Sequence, residues 1–353
     1  MAIAKVSILI PYYNDTAHIE AAIQSAYAQT YPNWEVIVVD DCSPKPEAAA
    51  LIRSLQQKYG FTLLSPARNG GATRALQLAF EHASGDYISI LSQDDLYTPD
   101  KLAKAMQAIT SEALDAVYFN GAIIGDDYPS TPPKPFETAE VEHAQSSGGC
   151  AAVSSLLASN DTHGCLLTQG AVYSHRLYGE LSWVREKFIL DDYPMSVIVW
   201  RDYKVRFYPD VVYLYRHHDN NIHKQYWRWF PARLQVVAEL VEPERRLDTL
   251  AFYLMNMGEF SMQNRRHDDA ARFIAAGMML ADSSGNQKLA MSLFSKLAGK
   301  MSRESSQALN SRMHALLGRQ SLKGRLVGVM KRILIGLVPV RAWRKQLRKK
   351  LAI

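Results

Sequence analysis

The chain has 353 residues, 48% hydrophobic and 21% charged. That balance fits a globular protein with core for one large domain or two ordinary ones. Its three cysteines, Cys42, Cys150 and Cys165, lack CxxC spacing, which argues against a disulfide framework and for a reducing compartment. Net charge is +5, yet residues 319–353 hold eleven basic residues and no acid, leaving −6 on residues 1–318; such a body is not that of a nucleic-acid binder.

The first apolar run, "VSILIP", lacks a small-residue cleavage site downstream and reads as a buried strand rather than a secretory leader. "HIEAAIQSAYAQ" follows at helical spacing after a capping Asp15 or Thr16. "EVIVVD", "FTLLS" and "YISIL" are further strands, separated by the helices "PEAAALIRSLQQKY" and "GATRALQLAFEHA". Thr98 and Pro99 read as cap and first residue of the next helix. Strand–helix alternation implies parallel pairing with helices on both faces. In such sheets ligands bind beyond the carboxyl ends of the strands. Those ends carry Pro11 to Asn14, then Asp40 and Asp41, then Asp94 and Asp95. No GxGxxG follows the first strand and no GxxxxGK[ST] occurs, which disfavours a dinucleotide fold and a phosphate loop.

"DAVYFNGAIIG" reads as another strand, "YPSTPPKPFE" as an exposed loop and "KVRFYPDVVYLYRHH" as one or two strands. From about residue 236 the spacing turns helical, with one copy of a helix-pair pattern, too little for an array. In the tail, Leu326, Val329, Met330, Ile333, Leu334 and Leu337 form one apolar stripe. After Pro339, Trp343, Leu347 and Leu351 form a second. With basic residues on the other faces, this is the pattern of a helix lying on anionic lipid; docking on the acidic body or on a partner is the alternative.

The segments "VSILIPYYND", "SAYAQTYPNWEVIVVDDCS", "ASGDYISILSQDDLYTPDKL" and "YRHHDNNIH" resemble, in order and spacing, family-2 glycosyltransferases of the GT-A fold. The likeness covers roughly residues 5–110 and 160–225. It implies transfer of a sugar from a nucleotide donor to an acceptor hydroxyl, usually with inversion and a divalent metal. It also implies roles for residues. Asp41 would accept the imide N–H of uracil, with Pro11 and Tyr13 lining the base and Asp40 supporting the loop. Asp95 would ligate Mn2+ or Mg2+, Asp94 would contact the ribose or the metal's outer shell, and His218 would add a ligand or touch the diphosphate. Ser92 stands where the commonest family pattern has an acid. Asp192 would be the base and Asp191 its neighbour. Arg74, out of register with the family's arginine, is a candidate donor contact. "QYWRW" fits the QxxRW signature of processive synthases, but those carry membrane-spanning helices, and no run here approaches the ~20 apolar residues required. Read from the residues alone, Asp40–Asp41 is also a solvated turn, Asp191–Asp192 also a helix cap, and His218 also a solvated loop histidine.

The expected fold is therefore α/β: a Rossmann-like mixed sheet flanked by helices over residues 1–235, with a nucleotide half at 1–112 and an acceptor half at 113–235. A helical extension at 236–318 and a basic amphipathic tail at 319–353 complete it. The expected activity is metal-dependent transfer from a nucleotide-sugar, UDP-linked, to a glycan or lipid-linked glycan of a bacterial surface polysaccharide or lipopolysaccharide. The expected location is the inner face of the plasma membrane, with no nucleic-acid partner. The rivals are an inactive sugar-nucleotide binder or membrane scaffold, and a sugar nucleotidyltransferase. The latter would be expected to carry a Gly-rich basic loop where this chain has "PYYND".

Overall fold

The structure, a computed structural model, describes residues 3–159, 164–188, 192–218, 226–263 and 266–283. Asp191, residues 219–223 of the histidine-rich segment, the helices expected beyond 283 and the tail lie outside the described residues.

β1 (Val6–Tyr12) runs through the middle of a sheet, between β2 (Trp34–Asp40) and β4 (Tyr87–Ile90), parallel to both. β3 (Thr62–Leu64) adds a third parallel neighbour beyond β2. Val6, Ile8, Leu9 and Ile10 are completely buried, as expected of a strand covered on both faces. Each such aliphatic side chain contributes ~1.5–3 kcal/mol through burial, so the register of β1 is strongly fixed. Ile8, Ile10, Val36 and Val38 face a core shared with α1 (Ile19–Tyr27), α2 (Pro46–Tyr59) and α4 (Lys101–Glu112). Leu9, Ile37 and Val39, equally buried, point to the other face. There α3 (Ala72–Glu81) packs on β1 and β2.

The second half of the sheet is mixed. The strand order is β3-β2-β1-β4-β8-β6-β9-β5, with β7 (Lys134–Pro135) attached to β6 (Ala116–Ile124). β8 (Ala171–Ser174) runs antiparallel to both β4 and β6, and β9 (Val205–Arg216) runs parallel to β6. β9 is one strand, interrupted by a register irregularity at Asn120 of its partner. β5 (Leu96–Tyr97), two residues directly after the acid pair, pairs with the carboxyl half of β9. That pairing carries the end of β9 to Asp94 and Asp95.

Helix α4 starts at Lys101, two residues later than the expected Pro99. Thr98 donates its N–H to Val212 and Pro99 accepts from Thr30 at 2.8 Å; sheet and loop contacts hold both out of the helix. The helices α5 (Ala139–Ser159), α6 (His175–Glu180), α7 (Ser182–Lys187) and α8 (Asp192–Asp202) complete this half. α5 is kinked at Gly149, whose φ is 62°.

A second compact unit contains α9 (Tyr226–Leu240), α10 (Arg246–Gln263) and α11 (His267–Ser283). The expected boundary at residue 235 falls inside α9, which belongs wholly to this unit. Its core gathers Phe230, Leu234, Leu254, Met257 and Phe273. α10 and α11 approach closely because two contact positions lack a Cβ. A Cβ on Gly258 would lie 2.4 Å from Ile274, and one on Gly277 would lie 2.9 Å from the Ala251 carbonyl. No described helix is long and apolar enough to cross a membrane.

Candidate functional site

Three strand ends meet at the carboxyl edge of β2, β1 and β4. At β1, Pro11 is half-buried and Tyr13 is exposed, while Tyr12 between them is buried and donates its hydroxyl to the Asp15 and Ala48 carbonyls. The Gln93 side chain binds the backbone of Tyr13 on both sides, accepting from its N–H at 2.7 Å and donating to its carbonyl at 3.4 Å. The loop after β1 is thereby tied to the loop after β4.

At β2 the two acids divide their work. Asp40 accepts the Ser43 N–H at 2.9 Å, closing the turn after the strand. Asp41 is only 3% exposed. One of its carboxylate oxygens accepts from Gly70 N–H at 2.8 Å and the other from Gly71 N–H at 2.6 Å; the side-chain amide of Asn69 donates to its backbone carbonyl. Gly71, at φ 81° and ψ 168°, occupies a region open essentially to glycine alone. Asp41 thus organises the Asn69–Gly71 loop at the start of α3, and each carboxylate oxygen retains lone-pair capacity for a further donor. Arg74 is exposed in the first turn of α3, and its side chain lies across Gly70: a Cβ there would come within 2.8 Å of it.

At β4 the acids stand on a turn closed by a hydrogen bond from Asp95 N–H to the Ser92 carbonyl. Arg216, the last residue of β9, holds this turn. Its N–H donates to Asp95 Oδ1 at 2.9 Å, its Nε to the Asp94 carbonyl at 3.1 Å and its Nη1 to the Gly125 carbonyl at 3.0 Å. His218 Nε2 lies 2.9 Å from Asp94 Oδ2. The His218 ring stacks on His18 at 5.5 Å, and His18 in turn lies 3.3 Å from the Asp15 carboxylate. Asp95 has no exposed surface, and its Oδ2 has no hydrogen-bond partner among the described residues. Burial pushes the Asp95 carboxyl well above the usual carboxylate range, reinforced by the charge of Asp94 and opposed by the Arg216 N–H and the Ser92 hydroxyl.

Lys101 was not among the residues singled out from the sequence, yet it is completely buried. Its Nζ donates to Ser89 Oγ at 3.0 Å and to the Gln169 carbonyl at 2.5 Å, and sits 3.4 Å above the Tyr97 ring. Burial pulls this ammonium well below its ordinary range, with Asp95 acting against the shift.

Asp192, exposed, opens α8, where its Oδ1 accepts the Tyr193 N–H at 2.7 Å. The Tyr215 phenol relates it to the other acids. Burial raises that phenol first, and the charges of Asp95, Asp94 and Asp192 then act on it together. The fold brings Asp94 and His218, far apart in sequence, into contact beside Asp95, and the charge of Asp192 acts on the same Tyr215 phenol. Tyr13 is joined to the acid turn through Gln93, and Asp41 and Arg74 stand at the adjoining strand end. Of the two expected metal ligands, His218 bonds Asp94 rather than Asp95. The sequence held a signal for the Asp41 partner in "NGGAT", two adjacent glycines before a helix; Arg216 and Lys101 carry no local signal of their role.

Among the described residues no three His, Cys, Asp or Glu side chains are placed to enclose a metal ion. A small hard cation needs fewer: one or two carboxylates suffice when substrate phosphates and water supply the rest. The unpartnered, buried Oδ2 of Asp95 beside Asp94 fits such an ion.

Residues 7–159 match the family described as "Glycosyl transferase family 2". The match covers 153 of the chain's 353 residues. Curated relatives include an uncharacterized glycosyltransferase of Rickettsia typhi, 44% identical over 98 residues, a stretch covering 28% of this chain and 29% of the relative. Another is the putative teichuronic acid biosynthesis glycosyltransferase TuaG of Bacillus subtilis, 34% identical over 102 residues, covering 29% of this chain and 40% of the relative. The chain spans less than half the length of the curated relatives it matches. Among solved structures, S. aureus TarS 1–349 in complex with UDP-GlcNAc superposes with a TM-score of 0.55 at 15% identity, covering 91% of this chain and 95% of that one. The mannosyltransferase PcManGT of Pyrobaculum calidifontis, solved with GDP-Man and Mn2+, gives 0.53 at 19% identity, covering 96% and 87%. These two show the fold, a GT-A-like mixed sheet with flanking helices.

Proposed function

We propose that this protein is an inverting, metal-dependent glycosyltransferase. It moves a sugar from a nucleotide-sugar, UDP-linked, to a hydroxyl of a glycan or lipid-linked glycan in bacterial surface polysaccharide or lipopolysaccharide assembly. The observation that carries this reading is the acid turn at the end of β4, where buried Asp95 and His218-bonded Asp94 stand beside the strand end that holds Asp41; the charges of both, and that of Asp192, act on the Tyr215 phenol. An exposed carboxylate at Asp192 is suited to take the proton of an acceptor hydroxyl as that oxygen attacks C1 and the bond from C1 to the diphosphate breaks. Tyr13 and Pro11 offer a surface for the base, and Asp41 offers an acceptor and a fixed loop beside it. Arg74, in the first turn of α3 just after that loop, is within the same strand-end region for a phosphate contact. Asp95, with Asp94 and His218 beside it, would hold Mn2+ or Mg2+. That ion offsets the charge that develops on the leaving diphosphate. The loop after β1, "PYYND", is neither Gly-rich nor basic, which disfavours the nucleotidyltransferase reading.

A donor panel tests the proposal. Hydrolysis and binding of UDP-, GDP- and dTDP-sugars are measured with and without Mn2+. Metal-dependent binding of a UDP-sugar is expected; the absence of any metal-dependent donor binding rejects the enzyme reading and favours a scaffold.

The basic tail adds a location. Residues 319–353 combine two apolar stripes with eleven positive charges and no acid, chemistry suited to an anionic leaflet at the inner face of the plasma membrane and hence to a lipid-linked acceptor. In co-sedimentation with anionic liposomes, the full chain is expected to pellet and a 1–318 truncation to stay in solution. Equal pelleting of both disproves the anchor.

A further inference from the structure

We infer that Gln93 is a positioning residue: it clamps the backbone of Tyr13 and so sets the Tyr13 ring as the wall for the donor's base, at a fixed place beside the acid turn. This role rests on the nucleotide-sugar reading above and deepens it. The Gln93 side chain meets both backbone groups of one residue, accepting the Tyr13 N–H at 2.7 Å and donating to the Tyr13 carbonyl at 3.4 Å. A backbone N–H only donates and a backbone carbonyl only accepts. The orientation of the Gln93 amide is therefore forced by its partners. Few side chains meet that demand: glutamate has no N–H to give, and asparagine is one methylene shorter.

The clamp acts on a loop already tied on its other side. The Asn14 N–H donates to Ser43 Oγ at 2.9 Å, and the Asn14 side-chain oxygen accepts the Lys45 N–H at 3.3 Å. Asn14 stands at φ 56°, a left-handed conformation that asparagine tolerates better than most residues. Tyr12, on the strand side, is buried with its hydroxyl bound to two carbonyls. Between these anchors Tyr13 stays 44% exposed. The other large apolar side chains so exposed among the described residues, Ile3, Trp183 and Leu247, lie before β1, in α7 and in α10; Tyr13 alone follows directly on a strand's carboxyl end. An aromatic ring on an immobilised backbone binds well because that backbone need not be ordered by the ligand, and a nucleobase face is a natural stacking partner for it. Gln93 also directly precedes Asp94, inside the turn closed by the Asp95 N–H on the Ser92 carbonyl. One short segment thus sets both the ring for the base and the carboxylates for the diphosphate end, a spacing suited to a whole nucleoside diphosphate.

The test is the affinity of the full chain and its variants for UDP in the presence of Mn2+, read by isothermal titration, with thermal unfolding of each variant as the check on folding. Gln93→Ala and Gln93→Asn are each expected to weaken UDP binding about three- to ten-fold, the range a lost hydrogen bond supports. Gln93→Met, of similar length, carries the same expectation should the alanine variant fail to fold. Tyr13→Ala should weaken binding at least as much. The decisive comparison is the Gln93 substitution made in two backgrounds. Added to Tyr13→Ala, which has no ring left to position, it should change UDP affinity by less than about two-fold. Added to Tyr13→Phe, which keeps the ring, it should again cost about three- to ten-fold. UDP affinity unchanged by the Gln93 substitutions, or a loss as large with Tyr13→Ala as without it, overturns the positioning role alone. An unaltered chain that does not bind UDP in the presence of Mn2+ overturns the donor reading and the positioning role together.

Discussion

Asp192→Asn is expected to lower the transfer rate by about 10^2- to 10^4-fold, the usual contribution of a positioned general base, while the affinity for donor and Mn2+ stays within about two-fold. The expectation is sharp because the substitution should leave the fold alone. Asp192 is exposed, and its described hydrogen bond is to the Tyr193 N–H at the start of α8. An asparagine oxygen can accept the same bond and cap the same helix end. What is lost is the capacity to take a proton, together with one negative charge near Tyr215. Turnover and donor binding therefore separate at this position, as they would not at Asp40, whose side chain closes a turn and whose loss would disturb the loop. Steady-state kinetics with isothermal titration of donor decide the matter: a variant retaining more than about a tenth of the rate removes Asp192 from the role of base.

Asp95→Asn should act in opposite directions on stability and on function. In the metal-free protein the buried Asp95 carboxyl titrates well above its ordinary value of 3.8. Between that value and the raised one the folded state binds more protons than the unfolded state. The stability contributed by this group is therefore greatest when it is protonated, and it is lost as pH rises through the folded pKa. At neutral or alkaline pH an uncompensated buried charge remains, beside a second carboxylate. The amide removes the charge and keeps an acceptor for the Arg216 N–H. Metal-free Asp95→Asn is thus expected to melt a few degrees above the unaltered chain at pH 8, with a flatter dependence on pH. Adding Mn2+ and UDP should raise the melting temperature of the unaltered chain by mass action and leave the variant unmoved and inactive. A metal-free variant that melts lower than the unaltered chain would show that Asp95 is compensated within the fold itself.

Much of the first part of the sheet, β1 to β4, was legible in the sequence, and the reasons are specific. β1, β2 and β4 are continuous apolar runs because the sheet is covered on both faces. α1 buries Ile19, Ala22, Ile23 and Ala26 at the three- and four-residue spacing that marks a one-sided helix. The strand ends then selected Asp41, Asp94 and Asp95 by topology. What could not be read was held together through space. β5 has two residues, too few to show a period. α5 is rich in serine and glycine and has no single apolar face in its sequence. Lys101 follows a proline and an acid, the pattern of an exposed first helical turn, and only the packing of Tyr97, Ser89 and Gln169 around it makes it internal. Arg216 ends a strand in which no local pattern names a role, and the Asp41–Gly71 contact joins the end of one strand to the start of a helix thirty residues on.

The bonds from Arg216 and His218 to the acid turn span 121 to 124 residues of chain, and the matched family region, 7–159, ends before either of them. On the ribosome, at 5–20 residues per second, Asp94 and Asp95 leave the peptidyl-transferase centre ~6–24 s before the strand that secures them has been made. Through that interval the nascent chain holds two neighbouring carboxylates with no clamp and no reason to be buried. The candidate site at the sheet's carboxyl edge is therefore among the last parts of the sheet to take shape during synthesis, and a chain interrupted before β9 carries Asp94 and Asp95 without the contacts that hold their turn.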